Sequence, residues 1–228
     1  MDIHKPKPFH SVKEFFSEIC VVVIGIAIAL GGEQIIERIH WREAIESERG
    51  ALRADIKDHL RSVAGRVAQQ SCVDRRLNEL DMVLARHKAR QKLGLAGPVG
   101  RPQNASSGQE VWQVAIASQA LSRMSTDERG RFADAFDNFE NFYRIERQAD
   151  ADWIELSGLD RADLLEEADW VALRAAVARL HATEDRIQMV ASYVLTEKAA
   201  GVPVPSVTLE DATPNEYSKA FCRPLLLK

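Results

Sequence analysis

Glu37-Arg38-Ile39-His40 is the first grouping in this chain with the look of chemistry, a carboxylate and an imidazole three residues apart. On a helix both would project from adjacent turns, as in the E-x-x-H ligand sets of di-iron bundles. Such a centre needs a second copy and two more glutamates on facing helices. The chain offers only the reversed His181-Ala182-Thr183-Glu184, so neither a metal nor another cofactor is expected. Asp55 and His59, an i,i+4 pair, read as a surface hydrogen bond on a charged helix face. The sequence has no nucleophile elbow, no phosphate-cradling glycine loop, no Cys-x-x-Cys and no H-E-x-x-H. These residues point away from an enzyme.

Two further clusters have a plain use and a sharper one. Phe132, Phe136, Phe139, Phe142 and Tyr143 recur at helical spacing and suit core packing; alternatively they line an apolar pocket in a ligand-sensing bundle. Arg86-His87-Lys88-Ala89-Arg90-Gln91-Lys92 is the one basic run. It places cations near a helix C-terminus on a solvated face. The sharper reading makes Arg86, Lys88, Arg90 and Lys92 a contact for lipid headgroups or an acidic partner. No aromatic residue interleaves the run, so no nucleic-acid partner is expected. Residues 33–93 hold 13 basic and 10 acidic side chains, and residues 94–228 hold 14 and 21. Oppositely charged sections suit each other across a bundle.

These groups must be positioned by helices, and the first helix is the most telling. Ile19 to Gly32 carries no charge and no strong hydrogen-bonding side chain. That core covers roughly 21 Å, short of the about 30 Å of hydrocarbon in a bilayer. Extended to residues 15–36 it reaches about 33 Å, enough for a slightly tilted transmembrane helix. Ser17, Glu18, Glu33 and Gln34 then fall near the ends, where long side chains reach headgroups, and Phe15, Phe16 and Trp41 suit the interfaces. The rivals are a buried helix of a soluble domain, a cleaved signal peptide and an interfacial helix lying on the bilayer, the last disfavoured because Val21 to Leu30 is apolar all round. Ala27-Ile28-Ala29 has a small-x-small look, but Glu14 and Glu18 sit where a signal peptide needs positive charge.

Steps of four and three from Glu18 give Val22, Gly25, Ala29 and Gly32, then Ile36 and Ile39, a heptad seam on one face. Small residues let helix backbones approach closely in lipid, and an ionisable group near hydrocarbon turns toward protein. Glu18, Val22, Gly25, Ala29 and Gly32 therefore read as a helix-association face. The plain reading is that small residues are common in spans and that Glu18 reaches for headgroups. Lys5, Lys7 and Lys13 precede the span and Arg38, Arg42, Arg49 and Arg53 follow it, so the positive-inside rule scarcely separates the two orientations. A short segment before one early span often stays in the cytoplasm, which favours residues after Ile36 outside.

Ser17-Glu18-Ile19-Cys20-Val21-Val22-Val23-Ile24-Gly25-Ile26-Ala27-Ile28-Ala29-Leu30, followed by Trp41-Arg42-Glu43, resembles the start of a domain-of-unknown-function family of single-span bacterial membrane proteins. Their N-terminus typically reads G-E-I-L-L-V-V-I-G-I-L-I-A-L, then a W-N-E-type motif. Ser17 replaces the usual glycine here, Trp41 lies further from the span, and Arg42 stands where asparagine is common. Trp112 to Tyr143 is a looser likeness to the same family. The resemblance implies a topology and supplies no activity.

The remaining residues read as one all-α domain, in which the span continues into a long helix of an antiparallel bundle. Residues 1–14 form an N-terminal tail, 15–36 the span, 37–200 the bundle and 201–228 an irregular tail carrying Pro203, Pro205, Pro214 and Pro224. Within the bundle a helix to Leu93, bent at Gly50 or Gly65, precedes a loop at about 94–108. Helices are then predicted from Glu110 to about Met124, from a Ser125 or Thr126 cap to about Ser157, and from about Glu166 to Ala200. Cys72 and Cys222 are expected as two free, partly buried thiols, or as a pair if the domain faces an oxidising compartment. The expectation is a membrane-anchored helical module of a bacterial inner membrane, with its C-terminal domain periplasmic. It would meet the bilayer and assemble with itself or a membrane-protein partner.

Overall fold

The computed structural model describes residues 12–104, 108, 110–196 and 199–227, except the side chains of Val12 and Glu14. Residues 1–11 of the expected N-terminal tail, with Lys5 and Lys7, lie outside the described residues, as do 105–107 of the expected loop. Among the described residues the fold is all-α, and its one β contact is an isolated antiparallel bridge, Leu95 with Leu226. The chain divides between Glu48 and Arg49 into two units. Helix α1 (Val12–Ala68), 57 residues without a proline, runs through that boundary.

In the first unit α1 is exposed along its apolar stretch. Val21, Ile28 and Ile36 each leave about 70% of their surface uncovered (68, 70 and 71%). Its best 18-residue window has a mean hydropathy of 2.3 with none of it buried. A core helix of a soluble protein would be covered by its neighbours, so the exposure argues against that rival. The helix is long and apolar enough to cross a membrane.

The second unit packs the rest of α1 with α2 (Gln70–Lys88), α5 (Thr126–Leu156) and α6 (Glu167–Thr196). Between α2 and α5 lie α3 (Glu110–Ala117) and α4 (Gln119–Ser122). Leu52, Ile56, Leu60 and Val63 carry the buried stripe of α1, and Val73, Leu77, Leu80 and Val83 continue it on α2. The break between these helices falls at Gln69, not at Gly50 or Gly65. The buried Gln69 amide donates to the Gly65 and Gln103 carbonyls (3.3 and 3.2 Å) and accepts from the Gln103 amide (2.9 Å). One side chain thus satisfies the polar groups that a helix break frees. α2 ends at Lys88 rather than Leu93, because Arg90 adopts φ +54° and the Arg86 guanidinium takes the Leu93 carbonyl at 2.7 Å.

Ser125 caps α5 by accepting the Glu128 amide at 3.2 Å, as its position before two acids suggests. The predicted helix from Glu110 is split by Ser118, which caps α4 by accepting the Leu121 amide. α5 and α6 run antiparallel: Asp152 and Glu155 bind Arg179, while Arg131 and Asp134 share a cleft with Tyr193 and Val194. α1 and α5 run the same way, since Arg49–Glu128, His59–Tyr143 and Arg66–Glu146 climb both helices together. The aromatic stripe on α5 is core, with all five rings at most 2% exposed. Burial at that level contributes about 1.5–3 kcal/mol for each phenylalanine.

The segment after Gly201 is not an irregular tail. It holds α7 (Leu209–Ala212) and α8 (Glu216–Phe221), each opened by a reciprocal capping box, Thr208 with Asp211 and Asn215 with Ser218. Its prolines punctuate short elements. Cys72 and Cys222 form a disulfide, Cα atoms 4.8 Å apart, in place of two free thiols. Arg76 donates to the carbonyls of Phe221 (2.7 Å) and Arg223 (2.9 Å), and Glu79 accepts the Leu225 amide at 2.9 Å. The buried polar pair on α2 therefore reads the backbone of the closing segment.

Candidate functional site

The face predicted for helix association lies open in the first unit. Glu18, Val22, Gly25, Ala29 and Gly32 are all exposed. A Cβ built on Gly25 or Gly32 meets nothing within 4 Å, so either glycine offers a flat place for another helix backbone. Phe15, Glu18, Ile19, Val22 and Val23 border a shallow groove of about 230 Å³. The carboxylate thus sits at the rim of an otherwise apolar hollow.

The basic run is divided by the structure. Arg86 is half-buried and spent on the Leu93 carbonyl, and His87 stacks on Trp170 with ring centroids 3.6 Å apart. Lys88, Arg90 and Lys92 are exposed. Three of the four predicted cations are thus exposed, and the half-buried Arg86 keeps its charge while it donates to a neutral carbonyl. Of the E-x-x-H residues, Glu37 accepts from the Trp41 indole at 3.1 Å, and the His40 ring meets the Trp41 ring edge-on at 5.5 Å. His181 pairs with Asp81 at 3.0 Å. Among the described residues no three metal-ligating side chains gather.

Sequence reasoning missed the polar groups sunk into the bundle. Arg66 on α1 donates to Glu184 on α6 and lies 3.4 Å from Glu146 on α5; Glu184 also accepts the Trp153 indole N–H at 3.0 Å. All four side chains are buried. The signal was legible, because Glu146 falls four residues after Phe142 and seven before Trp153, on the stripe itself. A charge on a core stripe is buried with a partner or it unfolds the stripe.

His59 and Asp55 are likewise not on a surface face. His59 is buried, its Nδ1 2.9 Å from the Tyr143 hydroxyl, and its ring stacks on Phe139 at 4.7 Å. Burial pushes the imidazole below its usual value and the neighbouring Asp55 carboxyl above its own. At the rim Arg49 grips Glu128 through two 2.7 Å contacts, and that hydrogen bonding holds the carboxyl below the usual glutamate value.

A polar cleft of about 440 Å³ opens beside the Gln69 break, bordered by Arg61, Ser62, Gln103, Asn104, Ser206 and Asp211 among others. A smaller, more apolar hollow of about 220 Å³ lies over Trp153 and Phe221, with Arg101, Asp160 and Tyr217 at its edge. No family model matches the chain, and no curated protein or solved structure matches it either. The likeness of residues 17–30 to a single-span family rests on its own short motif.

Proposed function

We propose that this chain is a single-pass, membrane-anchored helical module without catalytic activity, which assembles with itself or a membrane partner through its span. The observation that carries the reading is the apolar part of α1, wholly exposed and interrupted on one face by Glu18 and small residues. In water that surface would be an aggregation liability; in a bilayer it is solvated, and its seam is the cheapest place for a second helix. We assign the anchor to a bacterial inner membrane and the bundle to its periplasmic side. The Cys72–Cys222 disulfide supports that side, since such bonds persist in oxidising compartments. Lys88, Arg90 and Lys92 then suit anionic headgroups or an acidic surface.

The test is the protein mass of the full chain extracted in mild detergent. Wild type is expected above the monomer mass, alone or with a co-purifying subunit, and Glu18→Leu with Gly25→Leu is expected to lower it. A full-length chain that stays in the supernatant of a detergent-free lysate as a monomer refutes the anchor. An unchanged mass in the double variant refutes the seam.

A further inference from the structure

We propose that His59 is a proton-operated latch between α1 and α5, in which acid reverses its hydrogen bond with Tyr143 and draws the ring toward Asp55 on its own helix. The geometry is a slack one. His59 Nε2 and Asp55 Oδ2 are buried and face each other at 3.5 Å, and neither atom makes a hydrogen bond among the described residues. On its other side Nδ1 lies 2.9 Å from the Tyr143 hydroxyl. A carboxylate only accepts, so Nε2 carries the proton that faces Asp55, and Nδ1 accepts from Tyr143.

A proton arriving from solvent binds Nδ1, the sole ring nitrogen with a lone pair. Both nitrogens are then donors, so the Tyr143 O–H turns away from the ring and the phenol oxygen accepts from Nδ1–H, reversing the 2.9 Å bond. The imidazolium now carries a full charge toward Asp55, and closing the 3.5 Å gap gives an ion pair within α1. The charged groups facing the ring are acidic: Asp55 and Asp58 from α1 and Glu110 from α3. The Tyr143 hydroxyl is the polar group from α5. Phe136, edge-on at 5.8 Å, and Phe139, stacked at 4.7 Å, supply the dry walls.

Burial lowers the His59 value below the usual 6.5, so the unfolded chain takes up the proton first. Stability is therefore complete above 6.5 and falls as pH drops toward the folded value. Asp55, raised by burial, takes its proton in the folded state ahead of the unfolded one, so its own contribution runs the opposite way, at lower pH than the ordinary histidine range.

The experiment is a pH titration of histidine-labelled full-length protein in detergent micelles by nitrogen NMR, with His59→Gln assigning the signal among six histidines. The expected result is a neutral ring at pH 7.5, protonated on Nε2, that titrates below 6.5. Tyr143→Phe removes a bond that is stronger to the charged ring than to the neutral one and is expected to lower the midpoint by about 0.7–1.1 units. The thermal midpoint of wild type is expected to fall between pH 7.5 and 5.5 more than that of His59→Gln. Titration at or above 6.5, or a midpoint unmoved by Tyr143→Phe, overturns the latch. Should His59→Gln not fold, the wild-type and Tyr143→Phe titrations decide alone.

Discussion

Replacing Cys222 with serine removes the one covalent link between α2 and the closing segment. The bond spans 150 residues of sequence, and closing a loop of that length removes about 5 kcal/mol of chain entropy from the unfolded state, while native bonds measure about 2–5. A value inside that range is expected here. Arg76 and Glu79 still hold the backbone of residues 221–225, so the folded structure loses little when the bond is absent. A loss of about 3 kcal/mol lowers the unfolding temperature of a chain this size by roughly 6–12 °C. The assay is thermal unfolding of wild type and Cys222→Ser in the same detergent, with and without reductant. Reductant should bring wild type to the temperature of the variant and leave the variant unmoved. Thiol counting under denaturing, non-reducing conditions supplies the covalent check. One reactive cysteine, Cys20, is expected before reduction and three after it. Three before reduction, or a variant within 1 °C of wild type (a threshold of about 0.3–0.5 kcal/mol), would refute the reasoning.

Other substitutions probe the core and the rim. Glu184→Ala strips the buried Arg66 and Trp153 of a shared acceptor and should cost about 3–5 kcal/mol in a denaturant titration. Changing Arg66, Glu146 and Glu184 together to apolar residues of similar volume should cost less than that single change. Phe139→Ala leaves a cavity between α5 and His59, with an expected loss of about 3–5 kcal/mol by the same titration. Arg49→Ala tests the rim. Because Arg49 holds Glu128 below its usual value, the pair's contribution is present above the ordinary glutamate range and is lost as pH falls through the folded value. The variant should therefore lose less stability than wild type between pH 5 and 3, read as the shift of the urea midpoint.

Much of the architecture was written in local chemistry. A proline-free α1, the Ser125 cap before Asp127 and Glu128, and the five-ring stripe of α5 each announce a helix by spacing alone. What local reading missed depended on partners distant in sequence. Gln69 breaks the long helix by bonding to Gln103, and no residue beside it signals that, whereas Gly50 and Gly65 look like bends and are ordinary helix. The prolines after Gly201 suggested an irregular tail because the capping boxes between them are short and their docking partners, Arg76 and Glu79, lie well over a hundred residues away. His59 was placed on a surface because its i,i+4 neighbour is charged; its position three residues after Ile56 and four before Val63 was the better guide. For the face proposed for helix association, the spacing from Glu18 names the residues and the structure adds that they are exposed.

The bond between Cys72 and Cys222 also closes most of the bundle into a covalent ring. Every peptide link from Cys72 through α5 and α6 to Cys222 lies inside it. A protease that cuts once within that circuit, in the connector after Gly94 for instance, opens the circle without parting the pieces. The two pieces would stay joined until a thiol reagent undid the clasp, so a single nick need not part the C-terminal piece from α1.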